Sequence, residues 1–188
     1  MEDTIANYAL VLDFDGVITR LNIDWRKLRE ELSRYLGIRV VSINKLFEET
    51  HGTQTFWLAH EFVERQELEA VKTSELNNEI KKLITTFPGT KYIATLQSEK
   101  AVIKFLERHE LLSIFREVLG RPRFASKEQE LKYVVNIVGT NRVIFVDDSR
   151  QNIETCERLG IKYCIHVRNY PEVKHVIKLL KEISHTYW

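Results

Sequence analysis

Two aspartates, Asp13 and Asp15, follow an apolar run that begins at Tyr8, with a single residue between them. An ionised carboxylate in a buried position is costly unless a partner compensates its charge. The period of a strand places both acids on one side and Phe14 on the other. Gly16 follows directly, and glycine lets a backbone turn sharply where a ligand must approach closely. We therefore expect this pair of acids to hold a positively charged ligand.

Polar side chains also stand at the ends of the other apolar runs. Thr95 ends the second run, the loop after the third leads to Lys127, and the fourth ends in Asp147 and Asp148. Because ligands of parallel sheets bind beyond the carboxyl ends of the strands, these groups are expected to converge. Carboxylates, a hydroxyl and an ammonium suit a hard cation and a phosphoryl group. A divalent cation between Asp13 and Asp148 would offset the clustered negative charge.

The apolar runs alternate with helical patterns, which predicts a parallel sheet with crossover helices. The strand-like runs are residues 8–12, KYIAT from Lys91, REVL from Arg116, RVIFV from Arg142 and KYCIHV from Lys162. A last helical stripe comprises Val173, Val176, Ile177, Leu180 and Ile183. The predicted fold class is α/β, with a Rossmann-like parallel sheet as the core.

Between about residues 22 and 87 the pattern is helical alone, which predicts a helical bundle inserted after the paired acids. Asp24 and Ser42 are predicted helix caps. A third helix follows, and a fourth is expected to start at Thr73 or Ser74 and to stop before Pro88. The predicted domains are an α/β catalytic core of residues 1–20 and 88–188 and a helical cap of residues 21–87.

The composition excludes several classes of protein. The chain has 188 residues, 44% of them apolar, which suits one domain with a modest insertion. A net charge of +1 provides no basic surface for nucleic acid, and no apolar run is long enough to cross a bilayer. The first residues lack a signal-peptide pattern, and Cys156 and Cys164 are the only cysteines. We expect a cytoplasmic protein without a disulfide framework, monomeric or a small homo-oligomer, with Cys156 in the core.

The segments DFDGVI, IAT, SK and VDDSRQN, in this order, resemble the four motifs of the haloacid dehalogenase-like hydrolases, specifically their phosphatase branches. The resemblance extends from about residue 8 to residue 167, and the helical insertion occupies the position of that superfamily's first cap. The first and fourth motifs are specific signals, whereas the second and third are single residues that gain weight from their order. The cofactor that the resemblance implies is Mg²⁺.

The resemblance implies a role for each matching residue. Asp13 would be the nucleophile that attacks phosphorus, and Asp15 would be the general acid and base. Thr95 would hydrogen-bond the phosphoryl oxygens, and Lys127 would neutralise their charge. Magnesium would be held by Asp13, the backbone carbonyl of Asp15 and Asp148.

Some positions leave alternatives open. Asp147 stands where many relatives have glycine, and Asn152 stands where many have aspartate, so both are expected to support the metal ligands from outside the coordination sphere. Lys132 could replace Lys127, although Lys127 is closer to the predicted helix start. Ser98 could replace Thr95, although its position favours a helix cap.

The interpretation is a magnesium-dependent phosphatase that hydrolyses a small phosphorylated metabolite, as a phosphoglycolate phosphatase does, beneath a cap that excludes water. A phosphomutase of the beta-phosphoglucomutase type has the same motifs, and a member that binds a phosphate ligand without turnover is a further alternative. Arg20, Asn22 and Trp25, near the cap entrance, are the expected specificity contacts.

The insertion also contains charged residues that the pattern assigns to solvent. His60 and Glu64 stand four residues apart on a predicted helix, and no HExxH motif surrounds them. Both of them, and the run ERQELEA over residues 64–70, are expected to form an exposed charged face.

Overall fold

The computed structural model describes residues 5–168 together with Val176 and Lys178. Five strands form one sheet: β1 (Ala9–Leu12), β2 (Thr90–Ser98), β3 (Glu117–Arg121), β4 (Val143–Asp147) and β5 (Tyr163–His166). All of their pairings are parallel, in the order β3-β2-β1-β4-β5. The prediction of an α/β fold with a Rossmann-like parallel sheet is confirmed, and each strand overlaps the apolar run that predicted it.

Strand β1 lies at the centre of the sheet. Leu12 pairs with Ile93 of β2 and with Val146 of β4, and all four residues of β1 are buried. The next residue, Asp13, donates its backbone N–H to the carbonyl of Val146 at 2.9 Å. The carboxyl ends of β1 and β4 are therefore held side by side, which brings the acids that follow both strands to one place.

Helices cover both faces of the sheet. The described helices are α1 (Trp25–Leu36), α2 (Ile43–Thr50), α3 (Gln54–Ala70), α4 (Asn78–Thr86), α5 (Glu99–Arg108), α6 (Lys127–Val138) and α7 (Arg150–Arg158). Leu10 and Leu12 of β1 join one hydrophobic cluster with α4 and α5, whereas Ala9 and Val11 join another with α6 and α7. Because both faces of β1 are covered, every position of the strand is apolar.

Helices α1, α2 and α3 surround a hydrophobic cluster of their own, which includes Leu32, Phe47 and Phe56. The predicted caps of α1 and α2 are confirmed. The Asp24 side chain accepts a hydrogen bond from the N–H of the third residue of α1, and Ser42 does the same for α2. These three helices form the inserted helical bundle, and we refer to them as the cap.

The fourth predicted helix begins later than expected and packs elsewhere. Helix α4 starts after Asn77, whose side-chain oxygen caps it, and not at Thr73 or Ser74. Its buried residues Ile80 and Leu83 belong to the cluster on the sheet, because the chain has returned there to begin β2. The described bundle therefore contains three helices, not four, and the domain boundary at residue 87 stays a prediction.

Part of the charged face predicted on α3 is buried. Only 6% of His60 and 1% of Glu67 are exposed, so the expectation of an exposed face is wrong for both residues, and Glu64 is half-buried. The partner that makes this burial tolerable is Arg121 of β3, whose guanidinium donates to Glu67 at 2.5 Å. Since Arg121 is distant in sequence, the pattern of α3 alone does not reveal it.

Cys156 and Cys164 form a disulfide, although the sequence led us to expect a protein without a disulfide framework. Cys156 lies on α7 and Cys164 on the adjacent strand β5, with their Cα atoms 6.0 Å apart, a distance that a disulfide can span. Cys156 is also fully buried in the cluster beneath α7, as predicted. Disulfides are rare in cytoplasmic proteins, and the cytoplasmic location stays a prediction.

The predicted last helix, with Val173, Ile177, Leu180 and Ile183 on its stripe, lies outside the described residues. Of its stripe only Val176 is described: it is helical and buried in the cluster beneath α4 and α5. Within residues 5–168, and at positions 176 and 178, no helix has the length and apolar character needed to span a membrane.

Candidate active site

The Lys127 ammonium contacts residues at the ends of β1 and β4 and the backbone of β2. It donates to Asp13 Oδ1 at 2.9 Å and to the carbonyl of Ala94, and it lies 3.2 Å from Glu130 and 3.6 Å from Asp147. We refer to Lys127, Asp13, Glu130 and Asp147 as the Lys127 cluster. Lys127 is only 4% exposed, and its acidic neighbours outweigh the effect of burial and raise its pKa. Three carboxylates therefore surround one cation.

Helix α6 positions Lys127 because of how the helix begins. Ser126 is the N-cap, and its hydroxyl accepts the backbone N–H of Gln129. Lys127 is consequently the first helical residue, with its side chain directed at the strand ends, as the sequence predicts. Lys132 instead pairs with Glu128 at 2.6 Å on the solvent-exposed face of α6. The structure thus brings Lys127, and not Lys132, to Asp13.

Asp147 is fully buried, and most of its hydrogen-bonding capacity is used within the fold. One oxygen accepts from the backbone N–H of Ser149 at 2.8 Å, and both accept from the Asn152 amide at 3.1 and 3.0 Å. Burial and the charge of Asp13 raise the pKa of Asp147. Asn152 therefore holds Asp147 in place, and the role predicted for both residues beside the metal ligands stays a prediction.

The carboxylate oxygens of Asp13, Asp147 and Asp148 suit a divalent cation. One oxygen from each lies within 4.8 Å of the others, the only such cluster of metal-binding side chains found among the described residues. Oxygen donors of this kind are those that Mg²⁺ prefers. Since Asp147 is already engaged by Ser149, Asn152 and Lys127, the acids that remain available are Asp13 and Asp148.

Gly16 makes room for this arrangement. It has φ of +91°, and a Cβ atom there would lie 2.1 Å from a carboxylate oxygen of Asp148. Any other residue would both strain the backbone and displace Asp148. The expectation from the sequence, a sharp turn at a close approach, is met by contact between the loops that follow β1 and β4.

The Asp15 side chain points to the cap and away from Lys127. Its oxygens accept the backbone N–H of Leu21 at 2.8 Å and the indole N–H of Trp25 at 3.3 Å. Burial, with a smaller contribution from the Asp13 charge, raises the pKa of Asp15 to about 6. A carboxyl group that is neither firmly protonated nor firmly ionised near neutral pH is suited to transfer protons.

Thr95 lies farther back than predicted. Strand β2 continues to Ser98, so Thr95 is inside the strand, fully buried, and its hydroxyl donates to the side-chain oxygen of Gln97. Leu96 and Gln97 line the cavity above the acids, and Thr95 is not among the described residues that line it. Gln97 is thus a polar site residue that the sequence did not predict, because β2 extends beyond the apolar run from which it was predicted.

A cavity of about 660 Å³ opens above the acids, between the strand ends and the cap. Its core side contains Asp13, Asp15, Lys127, Asp148 and Asn152, and its cap side contains Trp25, Arg26, Arg29, Ser42 and Asn44. The described cap residues that line it include two guanidinium groups and no carboxylate. Sequence analysis missed both arginines, because nothing in the pattern of α1 distinguishes them from a solvated helical face.

Of the three residues expected to contact the substrate and determine specificity, one lines the cavity and two do not. Trp25 lines the cavity and touches Asp15, as its position near the cap entrance suggested. Arg20 and Asn22 are exposed and do not line the cavity, whereas Leu21 between them is buried. Ser98 occupies the N-cap position of α5 as predicted, but its hydroxyl donates to Glu64 instead of capping the helix.

Comparison with known proteins yields one family. The family model described as haloacid dehalogenase-like hydrolase matches residues 10–167. No curated protein matches the chain significantly.

Several solved structures have the same fold at low identity. CbbY from Rhodobacter sphaeroides, in complex with phosphate, is 14% identical with a TM-score of 0.63, over 88% of this chain and 96% of its own. A protein described as a predicted phosphoglycolate phosphatase from Haemophilus somnus is 15% identical, with a TM-score of 0.61 over 93% and 99%. The HAD-hydrolase YfnB from Bacillus subtilis, bound to magnesium, is 16% identical, with a TM-score of 0.57 over 91% and 99%.

Proposed function

Given that the chain belongs to the haloacid dehalogenase-like hydrolases, we propose that it is a magnesium-dependent phosphatase acting on a small phosphomonoester. The observation that carries the proposal is the contact of Asp13 with Lys127 beside Asp148, at the floor of a cavity of about 660 Å³. A nucleophilic carboxylate, a cation for the phosphoryl oxygens and acids for a metal stand together there. The similarity to structures described as phosphatase or solved with phosphate supports the same chemistry.

In the first step, a carboxylate oxygen of Asp13 attacks phosphorus as the ester P–O bond breaks. Asp15, in its protonated form, donates its proton to the leaving oxygen, and the alcohol departs. Asp13 is left as an aspartyl-phosphate. Lys127, which lies 2.9 Å from Asp13, orients the nucleophile and offsets the charge of the phosphoryl oxygens.

In the second step, water attacks the phosphorus of the aspartyl-phosphate. Asp15, now ionised, takes a proton from that water, and the bond between phosphorus and Asp13 breaks to release inorganic phosphate. In this proposal the side-chain amide of Gln97, which lines the cavity, donates hydrogen bonds to the phosphoryl group. Asp13 and Asp148, with the Asp15 carbonyl, would hold Mg²⁺, which supplies further charge stabilisation when bound.

The cap side of the cavity narrows the choice of substrate. Arg26 and Arg29 face the space where the rest of the substrate must lie, and no described cap carboxylate lines that space. Arg29 donates one N–H to the carbonyl of Val41 at 3.2 Å, which orients its guanidinium. We propose that the substrate has a second anionic group, such as a carboxylate, at the end opposite its phosphate.

A panel of phosphorylated metabolites, assayed for phosphate release with and without Mg²⁺, tests the activity. We expect hydrolysis that excess chelator abolishes, that Mg²⁺ restores and that Ca²⁺ inhibits, since the larger ion tolerates looser coordination. Full activity in excess chelator would refute the metal dependence. Conversion of a sugar phosphate without release of phosphate would identify a phosphomutase, and binding without turnover a non-catalytic member.

The second anionic group is tested with 2-phosphoglycolate and ethyl phosphate as a matched pair. Arg26→Met combined with Arg29→Met should raise KM for phosphoglycolate about tenfold or more, the value of one charge-assisted hydrogen bond or two, and leave ethyl phosphate unaffected. Arg20→Met, at an exposed arginine that does not line the cavity, is the control. Equal effects on both substrates would argue against recognition of the second anion.

A further inference from the structure

Arg121, the last residue of β3, is completely buried, and each nitrogen of its guanidinium has a partner. Nε donates to the carbonyl of Leu96 at 2.5 Å, one terminal nitrogen lies 3.1 Å from His60 Nδ1, and the other donates to Glu67 at 2.5 Å. We refer to Arg121, His60, Glu64, Glu67 and Ser98 as the Arg121 cluster. A buried guanidinium satisfied in this way holds its partners in a fixed geometry.

The Arg121 cluster crosses from the core to the cap. His60 and Glu67 belong to α3, and Phe47 of α2 lies with its ring 4.1 Å from the Arg121 guanidinium carbon. Leu96 and Arg121 belong to β2 and β3 of the sheet. A single cationic side chain of the core is therefore surrounded by residues of two cap helices.

The same cluster holds both ends of a short segment at the candidate active site. The carbonyl of Leu96 accepts from Arg121, and the backbone N–H of Ser98 donates to Glu67 at 2.9 Å. The Ser98 hydroxyl donates to Glu64. Between these two fixed points lies Gln97, which lines the catalytic cavity.

We propose that Arg121, together with Glu67, is a positioning residue that holds residues 96–98 in the conformation that receives the phosphoryl group. The proposal rests on the proposed function in that it assigns this segment to phosphate binding. Neither Arg121 nor Glu67 lines the cavity, so their effect is transmitted through the backbone of Leu96 and Ser98. The ion pair between Arg121 and Glu67 also connects α3 to the sheet, so α3 and residues 96–98 are positioned together.

The ion pair has a consequence for opening of the cap. Moving α3 away from the sheet would leave Arg121 or Glu67 buried without its partner, or would require both to be hydrated anew. It would also remove the hydrogen bond that fixes Ser98. We therefore expect α3 to stay in contact with the core during turnover.

The test compares three variants with a matched control. Glu67→Gln keeps the shape of the side chain and removes its charge, Arg121→Lys keeps the charge and loses the fork of donors, and Arg121→Met combined with Glu67→Met removes both charges together. Arg123→Met is the control, because Arg123 is exposed and the acidic residues with which it pairs in the described part of the chain, Glu99 and Glu117, belong to the core. Each variant is assayed for inhibition by inorganic phosphate, for KM and kcat, and for backbone hydrogen exchange in residues 95–99.

For Arg121→Met with Glu67→Met we expect phosphate to bind at least tenfold more weakly and KM to rise more than kcat falls, with faster exchange in residues 95–99. Glu67→Gln should show a smaller change in the same direction, and Arg121→Lys should recover part of the phosphate affinity of the double variant. Arg123→Met should match the wild type in phosphate inhibition, KM and kcat. If the double variant does not fold, Glu67→Gln and Arg121→Lys decide the question.

A folded variant with wild-type phosphate affinity and wild-type exchange in residues 95–99 would overturn the proposal. If the wild-type protein neither binds nor releases phosphate, the proposed function has failed, and hydrogen exchange still tests the positioning. Faster exchange in the Arg121 and Glu67 variants alone would then support positioning of the segment, and unchanged exchange would refute it.

Discussion

Lys127 and Arg121 are two buried cations near the same edge of the sheet, and their surroundings differ in charge. Lys127 faces the carboxylates of Asp13, Glu130 and Asp147 within 3.6 Å. Arg121 faces the carboxylate of Glu67 together with two neutral acceptors, on His60 and Leu96. Lys127 is surrounded by three carboxylates and lines a cavity, whereas Arg121 forms an ion pair with one carboxylate, that of Glu67, and neither member of that pair lines the cavity.

The difference separates two uses of buried charge. An excess of carboxylates in a partly desolvated site is stable only when a cation from outside completes it, so the Lys127 cluster is arranged for a ligand. A balanced pair whose donors are satisfied needs nothing more, so the Arg121 cluster can serve to fix the structure. Lys127 lies at the start of α6 and Arg121 at the end of β3, and the two cations differ in the number of carboxylates that they contact and in their access to the cavity.

Among the variants that test the difference between the Lys127 and Arg121 clusters, we expect the largest loss of activity at Asp13, the proposed nucleophile. Asp13→Asn keeps the shape of the side chain and removes the charge that attacks phosphorus, so turnover should fall by several orders of magnitude. The fold should persist, because Lys127 still contacts Glu130 and Asp147. Hydrolysis of nitrophenyl phosphate and thermal melting measure the two quantities, and appreciable turnover by the purified variant would remove Asp13 from its proposed role.

The next effect separates the two acids of the first motif. Asp15→Asn should slow hydrolysis of an alkyl phosphate by about 100- to 10,000-fold, since the alkoxide needs a proton to leave. With nitrophenyl phosphate, whose phenolate leaves unaided, the first step should survive and the second should stall. We expect a burst of nitrophenol near one equivalent per active site, with phosphate trapped on Asp13 and visible by mass spectrometry. Equal losses for both esters without a burst would show that Asp15 does not transfer protons.

Glu130 tests whether the excess of acids around Lys127 matters. Glu130→Gln should lower kcat/KM about tenfold to 100-fold, the value of about one interaction with a charged group, because Lys127 loses one of its anchors. Glu128→Gln, on the outer face of the same helix, is the control and should leave kcat/KM unchanged. A variant at position 130 that behaves as this control would contradict the anchoring role.

Glu130 also predicts a dependence of stability on pH. Burial raises its pKa from 4.5 to about 7, so the folded state binds the proton more tightly than the unfolded state. The corresponding stabilisation is present below pH 4.5 and is lost as the pH rises to about 7. Urea titrations should show that Glu130→Gln flattens this decline, and an unchanged pH profile would argue that Glu130 titrates normally.

The smallest effect is expected in the Arg121 cluster, with the opposite sign. Burial and the neighbouring Arg121 lower the pKa of His60, against the weaker influence of Glu64 and Glu61, and Lys100 adds to the lowering. The folded state therefore favours neutral His60, and its stabilisation is present above pH 6.5 and lost as the pH falls below that value. In thermal melts at pH 5.5 and 7.5, His60→Gln should lessen the difference that the wild type shows. A wild-type difference retained in full would refute this assignment.

Local signals in the sequence predict most of the fold. Asp24 and Ser42 cap the helices they were expected to cap, and each predicted strand forms. The sequence signals for these caps and strands lie within a few residues of one another, because helix capping and hydrophobic periodicity are local patterns. The helix expected from Thr73 or Ser74 begins later because Asn77, which donates hydrogen bonds to the carbonyls of Val17 and Ile18, caps its first turn.

The sequence predicts the site residues that belong to the four motifs. It does not predict the residues that reach the site, or become buried near it, through contacts between distant parts of the chain. Asp13, Lys127, Asp147 and Asp148 meet as their positions at strand ends suggest. Gln97 was missed because β2 runs past its apolar stretch, and the burial of Glu67 was missed because its partner is 54 positions away. Whether a charged side chain is buried depends on tertiary packing, and it cannot be predicted from the periodicity of a single helix.

The central position of β1 also determines when the protein can assemble. Ala9 pairs with Thr90 and with Val143, and Asp13 meets Lys127 across 114 positions of chain. At a synthesis rate of about 5–20 residues per second, Asp13 precedes Lys127 from the ribosome by roughly 6 to 23 s. Until β2 has been synthesised the apolar strand has no neighbouring strand, whereas α1, α2 and α3, which precede β2 in the chain, can already fold on one another. The nascent chain therefore acquires its cap before its sheet, and β1 is the segment on which a chaperone would have time to act.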